Sequence, residues 1–236
     1  SRLAAQRLPN KPLKLINNKE MILHVYSAAK ESESGKVYVA SPDQEIIDLI
    51  NHNGGEAVKT SEKHETGTDR IFEVFSKRLK SDPNIIVNLQ GDMPNIDPRE
   101  IKNLINYMKK DKCDIGTLAS KLNSEAELNN KNVVKVLSKG MIEPGEFVEA
   151  LDFHRTNIKT KYMIYHHIGI YAFTNKALLR YVSLKRSKLE LDRKLEQLRA
   201  MDNNMSIHVG YINTSPLSVD TEQDLTKVKK LMEKNE

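Results

Sequence analysis

Short apolar runs alternate with amphipathic helical patterns along most of this chain, and nearly every switch carries a start or stop signal. "KVYVAS" (36–41) predicts a strand. "SPDQEIIDLINHNGG" follows it, with Ser41 as N-cap, Pro42 at the first helical position, Gln44 at the third and Gly54-Gly55 as the stop. "EAVKTS" (56–61) predicts a short strand, and "TDRIFEVFSKRL" (68–79) a helix with Ile71, Val74, Phe75 and Leu79 on one face. A strand at 85–89 leads to "DPREIKNLINYMKK", where Asp97 caps, Pro98 opens the helix and Ile101, Leu104, Ile105 and Met108 share a face. "DIGTLAS" (114–120) is a further strand. This β-α-β-α order predicts an α/β fold with a mostly parallel sheet flanked by helices.

The rhythm breaks in the middle. Strands are expected at 132–138 and 147–153 and in the long run "MIYHHIGIYAF" (163–173). Helices are expected again at 174–183 and in "SKLELDRKLEQLRAM", where Ser187 and Glu190 make a capping box. A strand at 207–212 and a helix at 221–234 close the pattern. With no internal repeat and no low-complexity linker, the expectation is one domain over 1–236 with an inserted arm at about 132–170.

Bulk properties exclude several classes. The chain has no apolar run near the roughly 20 residues that a membrane helix needs, and its opening "SRLAAQRLPNKPLK" has no apolar signal region. Its one cysteine, Cys113, rules out a disulfide framework within the chain and suits a reducing compartment, so a cytoplasmic location is expected. The net charge of +5 comes from interleaved lysines and acids, with no Trp and few Phe. Base-stacking platforms are therefore poor, and a small anionic substrate accounts for the excess as well as nucleic acid does.

Candidate chemistry collects where strands end. "NIIVNLQGDMP" runs from an apolar strand into Gln90, Gly91 and Asp92, and "PLSVDTEQDL" ends a second apolar run on Asp220, just before the Thr221 N-cap. Ligands of open α/β sheets sit at the carboxyl ends of strands. Two carboxylates there suit a hard cation such as Mg²⁺, which takes few protein ligands and several phosphate oxygens; each could equally cap a helix or turn. Gly91 is read as leaving room for a ligand. Arg2, Arg7 and Lys11 lie in a segment that Asn10 and two prolines keep out of a helix beyond about Leu8, so it reads either as a phosphate cradle or as a solvated basic tail. "TSEKHETGTDR" (60–70) presents Gly67 and Thr68 at a helix start, with Arg70 in the first turn against the helix dipole. His166 and His167 should face opposite sides of a strand. Glu196 and Gln197 are expected on an amphipathic helix.

Taken together, "RLAAQRLPNKPL", "HETGTDR", "NLQGDMP", "HIGIYAF", "LEQLR" and "SVDTEQDL" resemble, in order and spacing, the 3-deoxy-D-manno-octulosonate (Kdo) cytidylyltransferases, or CMP-Kdo synthetases. The resemblance spans nearly the whole chain. It implies a nucleotide-diphospho-sugar-transferase type α/β fold, a homodimer, and transfer of CMP from CTP to Kdo with Mg²⁺ and release of diphosphate, in lipopolysaccharide biosynthesis. It implies that Arg2, Arg7 and Lys11 hold the triphosphate, and that Gly67, Thr68 and Arg70 serve the cytosine and ribose. Asp92 and Asp220 become metal ligands and, with Lys11, the catalytic set. Gln90, Arg155, His167, Glu196 and Gln197 become sugar-acid residues. In the family a strand ending "IPAR" precedes the basic loop, whereas this sequence starts at Ser1-Arg2, so the first strand of the fold is expected to be absent. The family's "ALYFSR..IP" reads "ALDFHRTNIK" here. Asp152 and His154 depart from it, which leaves a related sugar acid, such as 8-amino-Kdo or a nonulosonate, as the alternative substrate. A nucleotide-binding regulator without catalysis and, on the basic pI alone, a nucleic-acid-binding module are the remaining rivals.

Overall fold

The computed structural model describes residues 1–3, 7–78, 83–110 and 112–233. Its residues gather into two compact units: Ser1–Lys80, Leu89–Lys102 and Pro216–Glu236 form the first, and Ser81–Asn88 with Asn103–Ser215 the second. Each is therefore assembled from segments distant in sequence, and the expected arm, 132–170, falls inside the second.

In the first unit, a 3-10 turn at Lys11–Leu13 precedes the hairpin of β1 (Leu15–Ile16) and β2 (Lys19–Glu20). Asn17 and Asn18 both have positive φ, 47° and 60°, the conformation that a two-residue hairpin turn requires and that Asn tolerates. Then come α1 (Met21–Glu31), β3 (Val39–Ser41), α2 (Gln44–His52), β4 (Ala57–Lys59) and α3 (Gly67–Arg78). Strands β3 and β4 pair in parallel. Ile22, Leu23, Val39, Ile46 and Ile50 make one apolar cluster.

The second unit carries a six-stranded sheet. Its strands and neighbouring helices are β5 (Ile85–Leu89), α4 (Pro98–Met108), β6 (Ile115–Ser120), α5 (Glu125–Asn129), β7 (Lys135–Ser138), β8 (Phe147–His154), β9 (Met163–Thr174), α6 (Asn175–Ser183), α7 (Lys188–Arg193), α8 (Leu198–Asp202) and β10 (Ile207–Tyr211). Both β5 and α4 straddle the division, so Leu89 and Pro98–Lys102 count with the first unit. The order is β5-β9-β6-β10-β8-β7. Finally α9 (Glu222–Glu233) adds Leu225 and Val228 to a first-unit cluster with Leu8, Ile16, Met21 and Val219.

The α/β class holds, but the large sheet is more mixed than the sequence rhythm predicts. β6 and β10 are parallel, while β6–β9, β8–β10, β7–β8 and β7–β9 are antiparallel. The cause is β8 and β9. The first half of β9 pairs with β7 and its second half with β6, so β6, β10, β8, β7 and β9 close on themselves. Closure removes exposed edges.

Two local expectations change. The α2 helix starts at Gln44 with Asp43 as N-cap, because Ser41 stays in β3 and its hydroxyl accepts only the Asp43 N–H, at 3.1 Å. The run 187–201 is not one helix. Its capping box forms as expected, but Lys194 turns left-handed (φ 55°) and ends α7. Glu190, fully buried, receives a two-pronged bond from the Arg199 guanidinium at 2.8 Å on each oxygen, which folds α8 back on α7. Glu196 and Gln197 therefore lie in the connecting turn. Leu79, expected on the apolar face of the 68–79 helix, lies outside the described residues.

Candidate functional site

In the first unit, one side chain ties together acids far apart in sequence. Lys11 projects from the 3-10 turn, and its Nζ lies 3.1 Å from Asp92 Oδ2 and 3.1 Å from Asp220 Oδ1. Arg7 Nη2 donates to Asp220 Oδ2 at 2.9 Å. The backbone fixes the same meeting: Val219 N–H donates to Asp92 O at 2.9 Å, and Leu217 N–H to Asn95 Oδ1 at 2.9 Å. Asp220 then precedes α9, where the Thr221 hydroxyl accepts the Asp224 N–H while Asp224 accepts the Thr221 N–H. That reciprocal cap holds Asp220 at the helix entrance without using its carboxylate.

The set is shielded but reachable. Side-chain exposure is 16% for Lys11, 20% for Asp92 and 34% for Asp220. Burial alone would lower the Lys11 pKa, but the two carboxylates outweigh it and the net shift is upward. Lys11 is thus a firm cation. No cluster of three or more His, Cys, Asp and Glu suited to a metal occurs among the described residues. What the site offers a cation is two carboxylates converging on one positive charge, hard oxygen donors that leave most of a coordination sphere to water or phosphate.

Gly91 does not leave an open space. A Cβ there would meet Ile22 Cδ1 at 2.9 Å, so its bare backbone lets α1 pack against the turn that carries Asp92. Gln90 is partly exposed in the same turn.

At α3, Gly67 is the first helical residue and Thr68 is buried. Thr66 closes the start, its hydroxyl accepting the Asp69 N–H at 3.2 Å. Arg70 is buried at 6% exposure and folds back, Nη1 donating to Thr60 Oγ1 (2.6 Å) and Ser61 O (2.9 Å). Burial first, and the Arg2 guanidinium second, pull its pKa down. Arg2 itself is exposed.

The other expected residues lie in the second unit. His167 is buried; the Thr117 hydroxyl directs its one proton at Ile170 O (2.7 Å), so the His167 Nε2–H donates to Thr117 Oγ1 at 2.9 Å. Burial, then His166, lowers the His167 pKa to about 3, which keeps the ring neutral with Nδ1 as an acceptor. His166 faces the opposite side toward Ser215. Arg155 places its guanidinium against the carbonyls of Arg193, Lys131 and Lys194. The divergent Asp152 accepts from Arg193 at 2.8 Å and pairs with His154 at 2.8 Å. The Tyr181 hydroxyl holds Glu196 O at 2.9 Å, and next to it Gln197 is 3% exposed with an amide nitrogen that meets no partner among the described residues. A buried orphan donor is costly unless a ligand or water pairs with it.

A family model described as Cytidylyltransferase matches residues 1–207. The chain belongs to the cytidylyltransferase family. It is 40% identical to the 3-deoxy-manno-octulosonate cytidylyltransferase of Bartonella tribocorum, over 98% of this chain and 96% of that protein. It is also 40% identical to the enzyme of that name from Rhizobium etli, over 98% of this chain and 92% of that one. Among solved structures, CMP:2-keto-3-deoxy-manno-octonic acid synthetase in complex with CTP superposes with a TM-score of 0.88 at 34% identity, over 100% of this chain and 97% of the other. The 4-diphosphocytidyl-2C-methyl-D-erythritol synthase of Anaerococcus prevotii shares the fold, at a TM-score of 0.62 and 13% identity, over 98% of this chain and 95% of the other. As a cytidylyltransferase, the chain is a nucleotidyltransferase with a mixed α/β fold.

One residue escaped the sequence reading. Glu73, on α3, accepts from Ser61 N–H, His64 and Lys77. Its i, i+3 spacing from Arg70 placed both on one face, the only signal available.

Proposed function

We propose that this cytidylyltransferase transfers CMP from CTP to 3-deoxy-D-manno-octulosonate, releasing diphosphate, as a step of lipopolysaccharide biosynthesis. The observation that carries the reading is the Lys11 ammonium held between Asp92 and Asp220, in a chain whose full-length relatives bear that enzyme's name.

The converging carboxylates fit a divalent cation, Mg²⁺ by their hard oxygen donors, held by Asp92 and Asp220. Such an ion, when bound, neutralises phosphate charge and acidifies an attacking hydroxyl. Arg2, Arg7 and Lys11 take the triphosphate, and Lys11 stabilises charge on the departing diphosphate. Gly67, Thr68 and Arg70 form the nucleoside subsite. The anomeric oxygen of the sugar acid forms a bond to the α-phosphorus as the bond to the bridging oxygen of the diphosphate breaks; the hydroxyl proton passes to solvent. Gln90, Arg155, His167, Glu196 and Gln197 receive the sugar acid, where the orphan Gln197 N–H and the neutral His167 Nδ1 offer one donor and one acceptor to its hydroxyls.

Supply of CTP, Kdo and Mg²⁺ should yield CMP-sugar and diphosphate in equal amounts, with no diphosphate when the sugar acid is omitted. Product from sialic acid or 8-amino-Kdo at a higher kcat/KM would replace the substrate assignment, and CTP binding without turnover would replace the enzyme by a regulator. The same proposal includes a cytoplasmic homodimer, checked by light scattering. Among the described residues no helix is long and apolar enough to cross a membrane.

A further inference from the structure

The peptide groups of Ser61, between β4 and α3, are gripped from both sides by side chains one helical turn apart. Arg70 Nη1 donates to Ser61 O at 2.9 Å, and Glu73 Oε2 accepts from Ser61 N–H at 2.9 Å. The same Glu73 oxygen pairs with His64 Nε2 at 2.5 Å, and its other oxygen takes Lys77. Thr60, which also accepts from Arg70, is tied to β3 through Thr60 N–H to Ser41 O at 2.9 Å. The turn 60–64 is thus wrapped onto α3 around one carboxylate that is only 17% exposed.

We infer that Glu73, with His64, is a positioning residue for the nucleotide: it sets the Ser61 carbonyl that anchors Arg70, and through it the start of α3. This rests on the reading of Arg70 as part of the nucleoside subsite. A buried guanidinium keeps one orientation only if its anchors are fixed. Glu73 supplies that fixed anchor by accepting the Ser61 N–H. Without it Ser61 N–H loses its acceptor, and the carbonyl on the other side of that residue is no longer held where Arg70 meets it.

The test is steady-state kinetics, varying CTP and sugar acid separately, for Glu73→Ala, Glu73→Gln, His64→Gln and Arg70→Ala, with melting temperatures alongside. Expected for Glu73→Ala is a rise of about tenfold in KM for CTP, with kcat and KM for the sugar acid changed by less than about threefold. Glu73→Gln, which keeps an acceptor for Ser61 N–H, should recover most of the loss, and His64→Gln should show a smaller rise of the same kind. An unchanged KM for CTP in Glu73→Ala overturns the inference; so does a fall in kcat that tracks the loss of melting temperature with both KM values unmoved. Should Glu73→Ala not fold, displacement of a fluorescent CTP analogue from Glu73→Gln and His64→Gln decides, since wild-type affinity in both overturns it. Arg70→Ala with unaltered KM for CTP refutes the nucleoside reading of Arg70 itself, which a failure of Glu73 alone does not.

Discussion

Replacing Lys11 by Met removes the charge that Asp92 and Asp220 share while keeping the stem that packs in the turn. At 3.1 Å from each carboxylate, and with an effective dielectric near 20, the gross attraction is about 5 kcal/mol per pair. Most of that offsets desolvation. Asp220 is about one-third exposed and keeps Arg7 as a partner, so its share is close to that of a surface pair, under about 1 kcal/mol. Asp92 is more shielded and loses its only described ion-pair partner, a change between the surface and buried cases, roughly 1–2 kcal/mol. The sum comes to roughly 2 kcal/mol, or about 4–8 °C in Tm for a chain of this size. Two carboxylates left facing each other should also welcome a divalent cation. Without nucleotide, millimolar Mg²⁺ should therefore raise the Tm of Lys11→Met more than that of the wild type. Differential scanning calorimetry with and without Mg²⁺ reads both effects. A variant that melts with the wild type and ignores Mg²⁺ would refute the reasoning, because the bridge would then carry neither stability nor a latent cation site.

Three further outcomes follow from particular contacts. Gln197→Met removes a buried orphan donor, so Tm should hold or rise while KM for the sugar acid climbs about tenfold; calorimetry and kinetics on one preparation decide, and an unchanged KM leaves Gln197 a packing residue. His167, lowered to about 3 when folded against about 6.5 when unfolded, takes up its proton first in the unfolded chain. Stability should therefore fall as pH drops through that window, by up to roughly 1.4 kcal/mol per unit. Denaturant melts should show a flatter slope for His167→Gln between about pH 6 and pH 5, above the range where Glu73, held at about 2, begins to contribute. Ser187→Ala breaks the capping box of α7 and should cost about 1 kcal/mol, near 2–4 °C in Tm; no shift would mean that the Glu190–Arg199 pair alone holds α7 in place.

The sequence was most legible where a side chain announces its own local structure. Asp97 and Pro98 start α4, Gly54 at φ 72° follows α2, and Ser187 with Glu190 caps α7. Helix α1 passed unread because it opens on Met21 with Glu20 as an N-cap that makes no side-chain bond, so it carries no start signal. The break after α7 was hidden for the opposite reason: Lys194 adopts a left-handed conformation normally signalled by Gly or Asn, held by the buried Glu190–Arg199 pair. Strand direction was also out of reach, since an apolar run reads the same in either sense, and the antiparallel pairings of β8 and β9 are what make the sheet mixed. At the candidate site, residue types suggested charge chemistry, but the convergence of Lys11, Asp92 and Asp220 is a product of topology.

Diphosphate release from CTP, Kdo and Mg²⁺ by Asp92→Asn, compared with the unaltered chain, tests the central claim most directly. The substitution preserves size and a hydrogen-bonding oxygen toward Lys11 while removing one of the two charges proposed to hold the cation. Turnover should fall by at least about a thousandfold with the melting transition retained. Full activity in a folded Asp92→Asn protein would contradict the account.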